Sequence, residues 1–244
     1  MCIRDRADLR ELRDLWRVQS IAAVLDEAAE IEATLAALTP FRARGVEVIV
    51  ADGGSGDDTL ALARPLADCV VTAARGRAEQ MNAGAAVAKG DVLLFLHADT
   101  QLPDGADRLV LDALARSDRA WGRFDVRIDG GGVFALISAF MNVRSRLTGI
   151  ATGDQAMFVS RAAFESVGGF PPIALMEDVA LSARLKRVGR PLCLAARVVT
   201  SGRRWHRQGA LRTILLMWKL RLAYFFGADP VRLARAYGYA AGDR

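Results

Sequence analysis

Apolar residues along this chain form short runs that alternate with stretches spaced for helices. Val18–Ala23, Val46–Ala51, Cys69–Thr72 and Val92–Leu96 read as strands, and the unbroken apolar run Val92–Leu96 has the character of a central parallel strand covered on both faces. Between them lie predicted helices over Glu27–Leu38, with Ile31, Leu35 and Leu38 on one face, over Thr59–Leu66, over the small-residue stretch Ala78–Ala88, and over Asp104–Ala115. This alternation demands a mainly parallel sheet with right-handed crossovers. Beyond Trp121 the pattern changes. Phe124–Ile128 alternates, Gly130, Gly131 and Gly132 break it, and an apolar helix is predicted over Val133–Leu147. Leu181, Leu185 and Val188 recur at helical spacing, with Gly189 as a stop, and Leu192–Ser201 reads as another strand.

Near the end of the chain, Leu211, Leu215, Trp218, Leu222 and Phe225 form one helical stripe in an unusually apolar run. Arg212, Lys219 and Arg221 interrupt that run, whereas a spanning helix needs about 20 mainly apolar residues. Packing of the stripe on the domain is the default expectation. An interfacial helix with its basic groups toward lipid phosphates is the alternative. Asp229 and Pro230 start a last short helix, and Gly242–Arg244 is expected to fray.

Candidate chemistry sits where strands end. Val92–Leu96 runs into His97, Ala98 and Asp99 at the carboxyl edge, where open α/β sheets bind ligands. A carboxylate there can hold a hard divalent cation serving a phosphate or diphosphate, although an isolated Asp more often caps a turn. Val46–Ala51 runs into Asp52, then Gly53, Gly54, Ser55 and Gly56, a turn whose glycines let backbone approach a ligand. Asp52 is placed to accept hydrogen bonds from a base or ribose; an ordinary connection with Asp58 as helix N-cap is the plainer reading. Glu177 and Asp178 open a helix, where acids gain a few tenths to about 1 kcal/mol from the helix dipole. That role accounts for one acid, but not for an apolar Leu175–Met176 pair leading into two.

Together these segments resemble the family 2 glycosyltransferases of the GT-A fold, from about Ser20 to about Trp205. Four blocks carry the resemblance: Ser20–Glu27, Ala51–Asp58, Phe95–Asp99, and Gly153–Arg161 with Phe164–Phe170 and Glu177–Asp178. Three positions depart from the family pattern. Ala23 stands for a proline, Asp26 for an asparagine, and His97 for the first Asp of the DxD metal motif. The resemblance implies a single GT-A-like (Rossmann-like) α/β domain with a C-terminal helical segment. It also implies metal-dependent, inverting transfer from a nucleotide-diphosphate sugar to an acceptor hydroxyl. On this reading Asp99 holds Mg2+ or Mn2+, with His97 and His206 as further candidate ligands. Asp52, Gly53, Arg77, Asn82, Ala98 and Arg204 line the donor, with Arg77 suited to pair with diphosphate oxygens. Asp154, Gln155 and Glu177 face the acceptor, and Asp178 is the general base.

Length and composition agree. A chain of 244 residues, 52% hydrophobic and 25% charged, suits one globular domain. Residues 1–17 are read as an N-terminal extension, 18–205 as the transferase domain (18–100 the nucleotide half, 101–205 the acceptor half), and 206–244 as amphipathic helices. Met1–Arg6 can be back-translated to resemble a sequencing-adapter end and is set aside, with no apolar stretch following it as in a signal peptide; Ala7–Trp16 has helical spacing. A net charge of +5 suits an anionic partner: nucleotide, lipid phosphate or membrane surface. Nucleic acid fits poorly, for want of a basic stripe studded with aromatics. Cys2, Cys69 and Cys193 have neither metal-knuckle nor disulfide spacing. The cytoplasm is therefore the expected compartment, at the inner membrane face if the late helix is interfacial, with a lipid-linked acceptor then reasonable. Two other enzyme classes compete. A methyltransferase could use the Asp52–Gly56 turn but leaves Asp99 and Asp178 idle, and a dinucleotide oxidoreductase lacks the third glycine of its fingerprint. A non-catalytic sugar-nucleotide binder is the remaining alternative, motivated by His97.

Overall fold

The computed structural model describes residues 16–203 and 209–239. Eight strands form one sheet: β1 (Val18–Val24), β2 (Glu47–Asp52), β3 (Cys69–Thr72), β4 (Val92–His97), β5 (Thr100–Gln101), β6 (Trp121–Ile128), β7 (Met157–Ser160) and β8 (Leu192–Thr200). Their order is β3-β2-β1-β4-β7-β6-β8-β5. The first half is parallel, as the alternating pattern requires. β7 runs antiparallel to both β4 and β6, β8 runs parallel to β6, and β5 pairs antiparallel with the end of β8. β7 has four residues and β5 two, too short for periodicity to distinguish them from loop.

The helices are α1 (Ile31–Ala37), α2 (Thr39–Arg42), α3 (Thr59–Ala63), α4 (Arg77–Val87), α5 (Ala106–Ala115), α6 (Val133–Thr148), α7 (Arg161–Ser166), α8 (Glu177–Val188), α9 (Ala210–Phe225) and α10 (Pro230–Tyr237). The single helix expected over Glu27–Leu38 starts later, and Leu38 ends α1 and caps α2. Pro40, lacking an N–H to continue a ladder, begins that second short helix. Asp58 holds the N-cap position of α3 without a side-chain bond. Asp57 accepts from the Thr59 N–H at 3.0 Å instead.

Alternate strand residues go to opposite faces. Val48, Val50, Leu94 and Leu96 pack with Ile31 and Leu35 of α1 and Val110 and Leu114 of α5. Ile21, Ile49, Leu93 and Phe95 pack with Met81 and Ala85 of α4 and Leu181 and Leu185 of α8. The small residues of α4 let it lie close on the sheet: a Cβ on Gly84 would come within 2.4 Å of Ile21 Cγ2.

Two expectations about helix faces change. Val188 is exposed, although Leu181 and Leu185 are fully buried. On α9, Leu215, Trp218, Leu222 and Phe225 face outward rather than packing on the domain. The opposite face, with Leu216, Leu220, Ala223 and Tyr224, docks with Leu233 and Ala234 of α10 onto Leu175 and Met176. Both faces of α9 are apolar, so spacing alone could not choose between them. The helix expected over Ala7–Trp16 (Trp16 excepted), Arg204, His206 and the frayed end lie outside the described residues.

Candidate active site

Parallel pairing brings the ends of β1, β2 and β4 to one edge, with Val24 beside Asp52 and Ala23 beside His97. Gln80 of α4 ties this edge together, its side-chain N–H groups donating to the carbonyls of Val24 (2.5 Å) and Ala51 (3.1 Å). A Cβ on Gly53 would lie 3.0 Å from the Gln80 side chain, which explains the glycine there. Asp52 is fully buried. Its carboxylate accepts from the N–H of Gly54 (2.9 Å) and of Ser55 (3.2 Å) and from the Ser55 hydroxyl (2.5 Å). Those bonds shape the glycine turn and occupy its lone pairs. Asp26 does the same from the β1 side, accepting from the Gly56 N–H at 2.8 Å.

β7 runs antiparallel to β4, so the turn before it, Gly153–Gln155, lands on the carboxyl end of β4. Gly153 packs against His97: a Cβ there would sit 2.1 Å from His97 Nε2. That nitrogen is buried without a hydrogen-bond partner among the described residues. Burial, and then the Arg77 charge, push the His97 pKa down, while Asp154, Asp99 and Asp178 pull it up. Asp178, half-buried in the first turn of α8, accepts from the Gly153 N–H at 2.9 Å and from the Val179 N–H at 2.7 Å. Asp154 stays partly open beside it.

The remaining expected residues divide into two groups. Arg77, the first residue of α4, is exposed yet ringed by protein groups, as a side chain projecting into an open cleft is. Burial works against its charge, but Tyr239, Glu177, Tyr237 and Asp178 outweigh it and hold the guanidinium protonated. Glu177 is buried, and burial followed by the Asp178 charge raises its pKa to about 7. In the other group the side chains hold the scaffold. Asn82 makes paired bonds to the Phe170 backbone, at 2.8 and 3.0 Å. Gln155 is buried and closes a capping box with Thr152. Ala98 is buried, its carbonyl accepting from the Thr34 hydroxyl.

Backbone strain gathers here too. Asp26, Ala156 and Met176 have φ of 52°, 45° and 70°, the positive-φ non-glycine residues among those described. Each adjoins a segment of this edge, and strained backbone concentrates at functional sites.

Among the described residues no three His, Cys, Asp or Glu groups converge as a protein-built cage. Glu27, however, feels Asp99: burial and then that neighbouring charge raise its pKa. Two repelling carboxylates suit Mg2+ or Mn2+, which is commonly held by one or two carboxylates and substrate phosphates. His97 turns its Nε2 onto Gly153, where it is buried without a partner among the described residues.

Residues 21–167 match the family model described as glycosyl transferase family 2, more than half of the chain. The chain belongs to glycosyl transferase family 2. No curated protein sequence matches it. Among solved structures, S. aureus TarS 1-349 in complex with UDP-GlcNAc superposes with a TM-score of 0.62 at 17% identity, over 76% of this chain and 58% of that one. Glucosyl-3-phosphoglycerate synthase from Mycobacterium tuberculosis, in complex with Mn2+, UDP and phosphoglyceric acid, superposes at 0.57 and 19% identity, over 80% and 72%. Full S. aureus TarS is covered only to 36% of its length. These likenesses establish the α/β fold.

Against that fold, the residues given no role by sequence are those supplied from afar. Tyr237 and Tyr239 reach Arg77 from the C-terminal end, and Arg144 and Arg221 come within the field of Asp154 and Asp178 or of each other. The one sequence signal for this closure was Leu175–Met176, the apolar pair onto which the last helices dock.

Proposed function

We propose that this family 2 domain transfers a sugar from a nucleoside-diphosphate sugar to an acceptor hydroxyl, with inversion at the anomeric carbon. The carrying observation is Asp178. Its half-buried carboxylate is oriented by the Gly153 N–H, beside the carboxyl end of β4, and its charge acts on both Arg77 and Arg144. From there it takes the acceptor proton while the acceptor oxygen attacks the anomeric carbon from the face opposite the leaving group. A positioned base of this kind contributes about 10²–10⁴-fold in rate. Arg77 pairs with the departing diphosphate, an interaction that strengthens as charge develops on it. The glycine turn built by Asp52 presents backbone to the nucleoside, and Asp154 faces the acceptor. Glu177, largely protonated up to about pH 7, leaves Asp178 as the proton acceptor of the pair.

Asp99, with Glu27 beside it, would hold a divalent cation arriving with the diphosphate. When bound, that ion supplies charge stabilisation to the leaving group. The Mn2+ and Mg2+ seen with UDP in the mycobacterial synthase support this reading, and UDP-sugars are the first donors to test.

A membrane surface as the place of action has its own support. Val133, Leu136, Phe140, Val143 and Leu147 of α6 are exposed, as are Leu215, Trp218, Leu222 and Phe225 of α9. No helix among the described residues is long and apolar enough to cross a membrane. An exposed apolar platform of two helices fits an interfacial position and a lipid-linked acceptor.

The test is Asp178→Asn. Donor affinity, titrated with UDP-sugars in Mn2+, should stay within a few-fold, while single-turnover transfer or donor hydrolysis falls about 100-fold or more. Normal turnover in the variant would exclude Asp178. Donor binding with no turnover in the parent chain, across an acceptor panel, would favour the binding-only alternative.

A further inference from the structure

Three nitrogens of two half-buried arginines outside the residues assigned so far are buried without a hydrogen-bond partner among the described residues: Nε and Nη2 of Arg144 on α6, and Nε of Arg221 on α9. A buried polar group left unpaired is costly, and more so when charged. The two helices meet at Met141 and Ile214, which join the small apolar cluster of Ile128, Phe134 and Ile137. Arg144 stands one turn beyond Met141 and two beyond Ile137, and Arg221 stands two turns beyond Ile214, so both arginines follow the packed faces. Their charges work against each other. Burial, and then Arg221, lower the Arg144 pKa to about 10, with Asp154 and Asp178 pulling the other way.

We propose that Arg144 and Arg221 form the seat of a phosphomonoester group on the acceptor. Two guanidinium charges match a phosphomonoester dianion, the dominant form above a second pKa of about 6. The orphaned N–H groups match its terminal oxygens better than a singly charged carboxylate. The position favours the acceptor over the donor. Asp178 is felt by both Arg77 and Arg144, but Arg221 acts on Arg144 and is not among the charges that act on Arg77. A diphosphate held by Arg77 leaves Arg144 and Arg221 free. The outward faces of α6 and α9 are apolar, so a lipid phosphate and a small soluble phosphate share the chemistry the seat recognises. This inference rests on the glycosyl-transfer reading only for the word acceptor.

The full chain is titrated calorimetrically with methyl phosphate, with acetate, and with UDP, GDP and TDP in Mn2+. In parallel it is sedimented with phosphatidylcholine vesicles containing either phosphatidic acid, a phosphomonoester, or phosphatidylglycerol, a diester. Arg144→Met, Arg221→Met and Arg144→Lys are compared with the parent chain. The expected result is saturable phosphomonoester binding that Arg144→Met and Arg221→Met weaken at least tenfold and Arg144→Lys partly restores. UDP affinity should change less than twofold, and acetate should not compete. Arginine-dependent binding of methyl phosphate identifies a soluble source; the same dependence seen only with phosphatidic acid identifies a lipid, and both support the seat. Because an unmatched charge is removed, Arg144→Met should melt no lower than the parent in phosphate-free buffer, while inorganic phosphate should raise the melting temperature of the parent alone. Phosphomonoester binding that UDP displaces, or that is insensitive to both arginines, overturns the proposal. So does the absence of binding from both arms. Failure of UDP, GDP and TDP alike to bind while methyl phosphate still binds would instead refute the glycosyl-transfer reading and leave the phosphate seat standing.

Discussion

Gly153 and His97 share one small space, so a side chain at 153 has to displace the imidazole or the turn that carries Asp154 and orients Asp178. Gly153→Ala should therefore lower stability by about 1–3 kcal/mol, the usual range for overpacking. His97→Ala in the same chain should recover part of that loss, giving a non-additive pair in urea melts. Glu177 makes a separate prediction through pH. Its pKa is raised from 4.5 to about 7, chiefly by burial and then by Asp178, so between those values the folded chain keeps a proton that the unfolded chain releases. The contribution of Glu177 to stability thus falls as pH rises across that window and levels off above it. At roughly 1.4 kcal/mol per pH unit the difference is about 3 kcal/mol. Glu177→Gln should resemble the parent chain near pH 4.5 and unfold at higher temperature than it near pH 8. Equal melting temperatures at both pH values would rule out a buried, proton-binding Glu177.

Between elements, the seam of α6 with β6 is held by charge as well as by packing. Arg123 is fully buried and pairs with Asp125, donates from Nε to Ser145 Oγ at 3.1 Å, and donates from Nη2 to the Asn142 carbonyl at 3.1 Å. Arg146 adds two bonds to the same carboxylate, at 2.6 and 2.9 Å. Burial opposes the Asp125 charge, but the two arginines hold its pKa below the ordinary value. Removing one partner of such a pair leaves an uncompensated buried charge, so Asp125→Asn should lose about 3–5 kcal/mol in chemical denaturation. A loss under about 1 kcal/mol would mean that packing alone anchors α6. The helix itself was legible as an apolar stretch after three glycines. That its polar residues Ser138, Asn142 and Ser145 face β6 was not, because their partners lie on a strand reached only through tertiary contact.

At the scale of the molecule, the last two helices fold back onto the segment that leads into α8. α9 and α10 dock on Leu175 and Met176, immediately before the acids of α8, and deliver Tyr237 and Tyr239 to the neighbourhood of Arg77. The residues left outside are large and apolar, with Trp218 68% and Phe225 81% exposed. If this face meets a membrane, the chain should sediment with anionic vesicles at low salt, and added salt should weaken the part due to basic groups. Leu136→Glu combined with Leu222→Glu should abolish sedimentation while leaving the melting temperature nearly unchanged, since both side chains are already in solvent. Retained binding in that variant would place the contact elsewhere.

The apolar runs Val46–Ala51 and Val92–Leu96 determined buried parallel strands, and with them an edge at which Asp52 and Asp99 had to emerge. That much follows from the pattern, because a strand buried on both faces needs a near-continuous apolar run. The order of motifs likewise marked the family, and the helix stop at Gly189 placed Glu177 and Asp178 in a first turn. Which side chains remain free for chemistry was decided only by the tertiary structure. Asp52, Asn82 and Gln155 read as binding residues, yet their polar atoms meet backbone and side chains that fold against them. Sequence cannot reveal this, since a carboxylate or amide has the same composition whether its partner is ligand or protein. The same limit hid the outward face of α9 and the meeting of Arg144 with Arg221, whose 77-residue separation in the chain is closed by helix packing alone.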